Sequence, residues 1–152
     1  MNLPLYLGLL RGSEEVLGQS FAQVADGHAD EPDVFHLCHM LAKQCADHDE
    51  RLRPVIDRYG ASPDGEPERF HAEALAEIRS GPVGLLRDLQ DVYVLASLVD
   101  ITWTVVKQAG QALRDEELLD IVAHCEAETR VQLSWLSTRI KQAAPQALLV
   151  AS

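Results

Sequence analysis

Four long stretches of this chain place an apolar residue every three or four positions, and none shows the every-other-residue alternation of a half-buried strand. A period near 3.6 gathers those residues on one side of a helix, and a stripe that long has to be covered by other helices. The first stripe runs through Leu3, Leu7, Leu10, Glu14, Leu17, Phe21 and Val24. The second takes in Val34, Cys38, Leu41, Cys45, His48, Leu52, Val55 and Tyr59. The third comprises Leu85, Leu89, Val92, Ala96, Val99, Trp103, Val106, Gly110 and Leu113, and the fourth begins after Asp115 and ends near Pro145. Turn chemistry separates them at Gly27 to Pro32, Gly60 to Pro67, Ser80 to Pro82, and Arg114 to Asp115. Pro32 suits a first helical position, Gly60 a helix end, and Asp115 followed by two glutamates an N-cap. Pro54 is predicted to kink the last turns of the second helix.

Links after the first and third helices are short, so each pair should fold back on itself, predicting an all-α, antiparallel four-helix bundle in up-down-up-down order. Residues 67 to 79, rich in Ala, Glu and Leu, predict a short extra helix between the second and third. Residues 1–145 are expected to form the single domain and 146–152 a loosely held tail. With 152 residues, 47% of them apolar, one substantial core is expected. The formal charge of −11 repels phosphate backbones and anionic lipid, which argues against nucleic acid and membrane surfaces as partners. Met1 to Leu10 is apolar but carries no preceding Lys or Arg and reads as a helix start rather than a signal. Residues 92 to 106 are the most apolar, yet Asp100 interrupts them and they fall short of the ~20 residues of a membrane span. Three cysteines, an odd number, suit a reducing compartment, so a cytoplasmic location is expected.

Polar groups inside these stripes are the candidate chemistry. If two helices turn back near residue 29, positions about fifteen before and after the turn lie level, which sets Glu14 beside Cys45. The same arithmetic about residue 114 sets Asp100 level with Glu128, one turn from Cys125. The second and fourth helices carry matching runs, Cys45-Ala-Asp-His48 and Cys125-Glu-Ala-Glu128, each with a ligand pair three apart on one face. Glu14, Cys45, His48, Asp100, Cys125 and Glu128 are therefore the candidate metal ligands, and Cys45, His48, Cys125 and Glu128 alone would suit a tetrahedral zinc ion. The plainer alternative treats the cysteines as small core residues and pairs Glu14 and Asp100 with His48, Arg11 or Lys107.

This order of elements, with a central Glu on the first helix, i, i+3 pairs on the second and fourth and a carboxylate on the third, resembles the ferritin-like superfamily. The run His48-Asp-Glu-Arg-Leu52 and the later Val92-Tyr93-Val94-Leu95-Ala96 look most like its small bacterial stress-associated branch. The resemblance implies a two-iron site built from Glu and Glu-x-x-His motifs. Here Cys45 and Cys125 stand where that family has bridging glutamates, and Glu128 where it has a histidine. The expectation is a non-storage, stress-related bundle holding one transition metal, iron or zinc, in a degraded site. The alternative is a metal-free interaction module, a homodimer or partner-docking protein, using Trp103, Trp135 and the close-approach pair Gly8 and Gly12.

Overall fold

A computed structural model describes residues 1–61 and 77–151. Helix α1 spans Leu3–Gly27, α2 Pro32–Tyr59, α3 Gly81–Leu113 and α4 Glu116–Pro145, and a π-helical turn, Gln146–Val150, follows α4 directly. No strand occurs among the described residues. The helices begin and end where the turn chemistry places them. Pro32 and Pro82 occupy first-turn positions, and Gly60 closes α2 at φ +86°, a left-handed conformation that glycine adopts without strain. Asp115 caps α4 by accepting the Leu118 N–H. The α2 helix continues through Pro54 to Tyr59. Most of the helix predicted over 67 to 79 lies outside the described residues, and residues 77 to 79 are not helical. At the C-terminus, residues 146 to 150 stay helical and bury Ala147 against Leu86 and Ala143, where a loose tail was expected.

Every residue of the α1 stripe is buried, as is the α2 stripe up to Val55 and the α3 stripe up to Gly110, and together they form one core. Burial of such side chains is the main favourable term in folding, at roughly 1.5–3 kcal/mol for each fully covered Leu, Val or Phe. Paired residues give the packing. Along α1 and α2, Arg11 meets Asp49, Glu14 meets His48 and Asp26 meets His39, so numbers rise on one helix as they fall on the other. The same opposition holds between α1 and α3 (Glu14 with Trp103, His28 with Asp88) and between α2 and α4 (Asp33 with Arg139, His48 with Glu128). On α3 and α4, Lys107 reaches Glu126 while Gly110 abuts Leu118 and Leu119. Between α1 and α4, and between α2 and α3, the backbones do not come close, and α2 meets α3 only where the His48 and Trp103 rings stand edge to face across the core. Helices α2 and α3 therefore lie on a diagonal and point the same way. The chain runs up-down-down-up, and the simple hairpin order expected from the sequence gives way to a crossover between α2 and α3.

The start of α3 is tied to the end of α1 by a closed polar cluster. Asp88, fully buried, pairs with His28 Nε2 at 2.8 Å, and Arg79 reaches both Asp88 Oδ1 at 2.7 Å and Asp91 at 2.8 Å. The Arg79 backbone N–H also donates to Asp88. Ile78 packs so tightly over Gly27 that a Cβ there would collide with it.

Candidate functional site

Glu14 from α1, His48 from α2, Trp103 from α3 and Glu128 from α4 meet at mid-bundle, so one residue of each helix contributes. The His48 ring lies between two carboxylates, with Nδ1 2.9 Å from Glu14 Oε1 and Nε2 3.0 Å from Glu128 Oε1. Trp103 Nε1–H donates to the same Glu14 Oε1 at 2.9 Å. Glu14, His48 and Trp103 have no solvent exposure, so this chain begins in the core. It ends at the surface: Glu128 and His124 are partly exposed, with His124 Nε2 3.0 Å from Glu128 Oε1 and 3.6 Å from Asp47 Oδ2.

Burial works against a charge on His48. The hydrogen bonds and negative charge of Glu14, and after it Glu128, outweigh that penalty and raise the imidazole pKa. Cysteine chemistry goes the opposite way. Burial, then the neighbouring Glu14, pushes the Cys45 thiol well above its ordinary range, and burial does the same for Cys125. Both thiols are therefore held in the protonated form in the metal-free protein, which makes them poor nucleophiles at neutral pH.

The contact between His124 and Glu128 has an informative geometry. The two atoms are within hydrogen-bond distance, yet His124 Nε2 has no aligned hydrogen-bond partner. One ring nitrogen each from His48 and His124 and a Glu128 oxygen all lie within 4.8 Å of one another. Three ligand atoms around one tetrahedral ion with bonds of about 2.0–2.1 Å stand roughly 3.3 Å apart, so these side chains need little movement to share an ion. On its other ring nitrogen His48 has a carboxylate, the arrangement that fixes tautomer and orientation in metal-bound histidines. The chain matches no family model, no curated protein and no solved structure.

Of the six residues singled out from the sequence, Glu14, His48 and Glu128 come together. Cys45 is beside Glu14 but one face removed from the metal-ligating group, near Gln132. Cys125 is buried a turn from Glu128 and senses Glu14 first, then Arg51, Asp47 and Glu128. Asp100 joins a different cluster. Its neighbours are Arg130 and Glu126, its Oδ1 is buried without a hydrogen bond, and desolvation raises its pKa. The α3 residue at the level of Glu14 is Trp103 instead, because α1 and α3 pair as 14 with 103 and 28 with 88. The two-iron centre that the ferritin-like resemblance implies does not fit these residues. Its bridging positions hold cysteines, which offer one soft sulfur where a bridging carboxylate offers two oxygens, α3 offers an indole N–H at that level, and Glu14 Oε1 already accepts two hydrogen bonds. His124, which the sequence reading passed over, sits one helical turn before Glu128, and that i, i+4 pairing was the available signal.

Proposed function

We propose that this chain is a ferritin-like bundle that has given up two-iron chemistry and binds a single divalent transition ion through His48, His124 and Glu128. Its role would be non-storage and stress-related, with Glu14 as a positioning residue behind His48. The observation that carries this reading is the convergence of two imidazoles and a carboxylate from two helices within 4.8 Å. Two nitrogens and an oxygen suit zinc and ferrous iron alike, and the general affinity order for such ligands ranks zinc higher. Partial exposure of His124 and Glu128 leaves the ion a path from solvent. The test is elemental analysis of protein produced with zinc and iron supplied, comparing the wild type with His48→Gln and His124→Ala. One ion per wild-type chain, absent from both variants, is the expected result. A folded, metal-free wild type, or an ion retained by His124→Ala, would refute the reading.

A second reading, the homodimeric interaction module, is favoured by one observation. Helix α3 has a stretch apolar enough by length and composition to cross a membrane, yet only 44% of it is buried, and Val94, Ile101 and Val105 lie exposed along it with Val131 of α4. Sedimentation at several concentrations, with and without zinc, separates a dimer that needs the ion from one that does not.

A further inference from the structure

A groove of about 530 Å³ opens between α1 and α2, and its lining includes Glu14 but none of His48, His124 and Glu128. Its inner wall is small: Gly18, Ala42, Cys45 and Ala46. Gly18 keeps it open, since a Cβ there would lie 3.1 Å from the Cys45 Cβ and fill the approach to it. Glu14 lines the groove and is fully buried. Its Oε1 accepts from His48 and Trp103, but Oε2 has no hydrogen-bond partner at all. A buried carboxylate oxygen without a strong donor is costly, and the neighbouring Cys45 thiol is only a weak one. The mouth of the groove is acidic. Glu15, Asp49 and Glu50 stand there against a single cation, Arg11, which Asp49 already engages at 2.7 Å.

These features select a ligand chemistry. Anions are repelled by the walls. A bare divalent ion would find one free oxygen and an apolar floor, too few donors for its coordination shell. An ammonium group brings the N–H donors that Oε2 lacks, an alkyl chain suits Ala42 and Ala46, and a second positive charge suits Glu15 and Glu50 at the mouth. We propose that the groove between α1 and α2 is a binding site for a short linear aliphatic diammonium ion, its inner ammonium on Glu14 and its outer one between Glu15 and Glu50. The site shares Glu14 with the metal reading and does not depend on it.

Calorimetric titration with 1,4-diaminobutane at fixed ionic strength tests this directly. Wild-type protein should bind one equivalent saturably, and Ala46→Leu, which fills the groove from an exposed position, should weaken binding about tenfold or more. Butylamine should bind more weakly than the diamine, and the double variant Glu15→Gln, Glu50→Gln should erase that difference. Far-ultraviolet circular dichroism confirms that each variant is folded. Absence of saturable heat with wild-type protein would overturn the proposal. So would equal binding by Ala46→Leu, which would reduce the effect to general attraction between a cation and an acidic surface. Zinc titration of the same samples reports separately on the metal reading, so either can fail alone.

Discussion

Two buried histidine–carboxylate pairs sit at different heights in this bundle, and they are finished to different degrees. At the α1–α3 end, Asp88 uses both oxygens: His28 and the Arg79 backbone take one, the Arg79 guanidinium the other, and Arg79 continues to Asp91. At mid-bundle, Glu14 leaves one oxygen without a donor, and the chain from His48 runs outward to a His124 nitrogen with no aligned partner. The first cluster has an arginine to neutralise it and nothing left over. The second meets an arginine only at its outer end, where Arg51 engages Asp47 at 2.7 Å, and it keeps two buried atoms without a hydrogen-bond partner, Glu14 Oε2 and His124 Nε2. A polar cluster that only stabilises a fold is expected to be saturated, because each unsatisfied buried group costs about 1–3 kcal/mol. Asp100 Oδ1 and Glu126 Oε2 are unsatisfied too, so what sets mid-bundle apart is the convergence there of two imidazoles and a carboxylate.

The sharpest way to break this contrast is Asp88→Ala. Removing the shared carboxylate strands the buried His28 imidazole and leaves Arg79 with Asp91 alone, and urea unfolding should show a loss of about 3–5 kcal/mol. Zinc affinity of the folded fraction should be unchanged. Next in size is the effect of zinc itself. At one hundred times its dissociation constant the ion should stabilise the wild type by about 2.7 kcal/mol in thermal unfolding. His124→Ala should lose that gain while costing the metal-free protein no more than ~0.5 kcal/mol, as expected for a partly exposed side chain. Equal metal-free losses for His124→Ala and Asp88→Ala would erase the distinction between the two clusters.

Glu14→Gln is the intermediate case. It keeps the shape but exchanges the carboxylate behind His48 for an amide, so a stability loss of about 1–3 kcal/mol is expected. A tenfold to hundredfold drop in zinc affinity should accompany it, measured by competition with a chelating dye. The smallest effect concerns a third cluster, at the Asp115 cap. Arg58, then Tyr59, hold the Asp115 carboxyl down from its ordinary 3.8 to about 2. Its folded pKa is depressed, so its contribution is present above pH ~4 and disappears as pH falls through 2. Asp115→Ala should cost about 1 kcal/mol at pH 7 and less at pH 2, read from denaturant midpoints.

Much of the fold was legible in the sequence because helical periodicity and turn residues are local signals. Leu3 through Val24 could be assigned to a buried face, and Pro32, Gly60 and Asp115 to helix ends, without any knowledge of neighbours. The crossover was not legible, since which helices touch depends on the path between α2 and α3 and not on either helix alone. That gap also explains the error at the site. Counting outward from the α3–α4 turn puts Asp100 at the right height against α4, but height is only half of a position on a helix. Its rotation faces Glu126 and Arg130, and the residue turned toward Glu14 is Trp103. Glu14, His48 and Glu128 were legible as polar interruptions of apolar stripes. His124 carried only its i, i+4 spacing to Glu128, a spacing common on solvated helix faces, and it stands out only when a partner helix brings His48 to it.

The diagonal placement of α2 and α3 divides the molecule into two hairpins, α1 with α2 and α3 with α4. His48 belongs to one and His124 with Glu128 to the other. An ion held by all three would work as a removable cross-link between halves whose ligands are 80 residues apart in the chain, His48 to Glu128. Closing so long a loop in the unfolded chain is entropically expensive, and the expense grows only slowly with length. Metal occupancy would then govern how readily the two hairpins part, giving the bundle a mechanical stiffness set by the surrounding metal concentration.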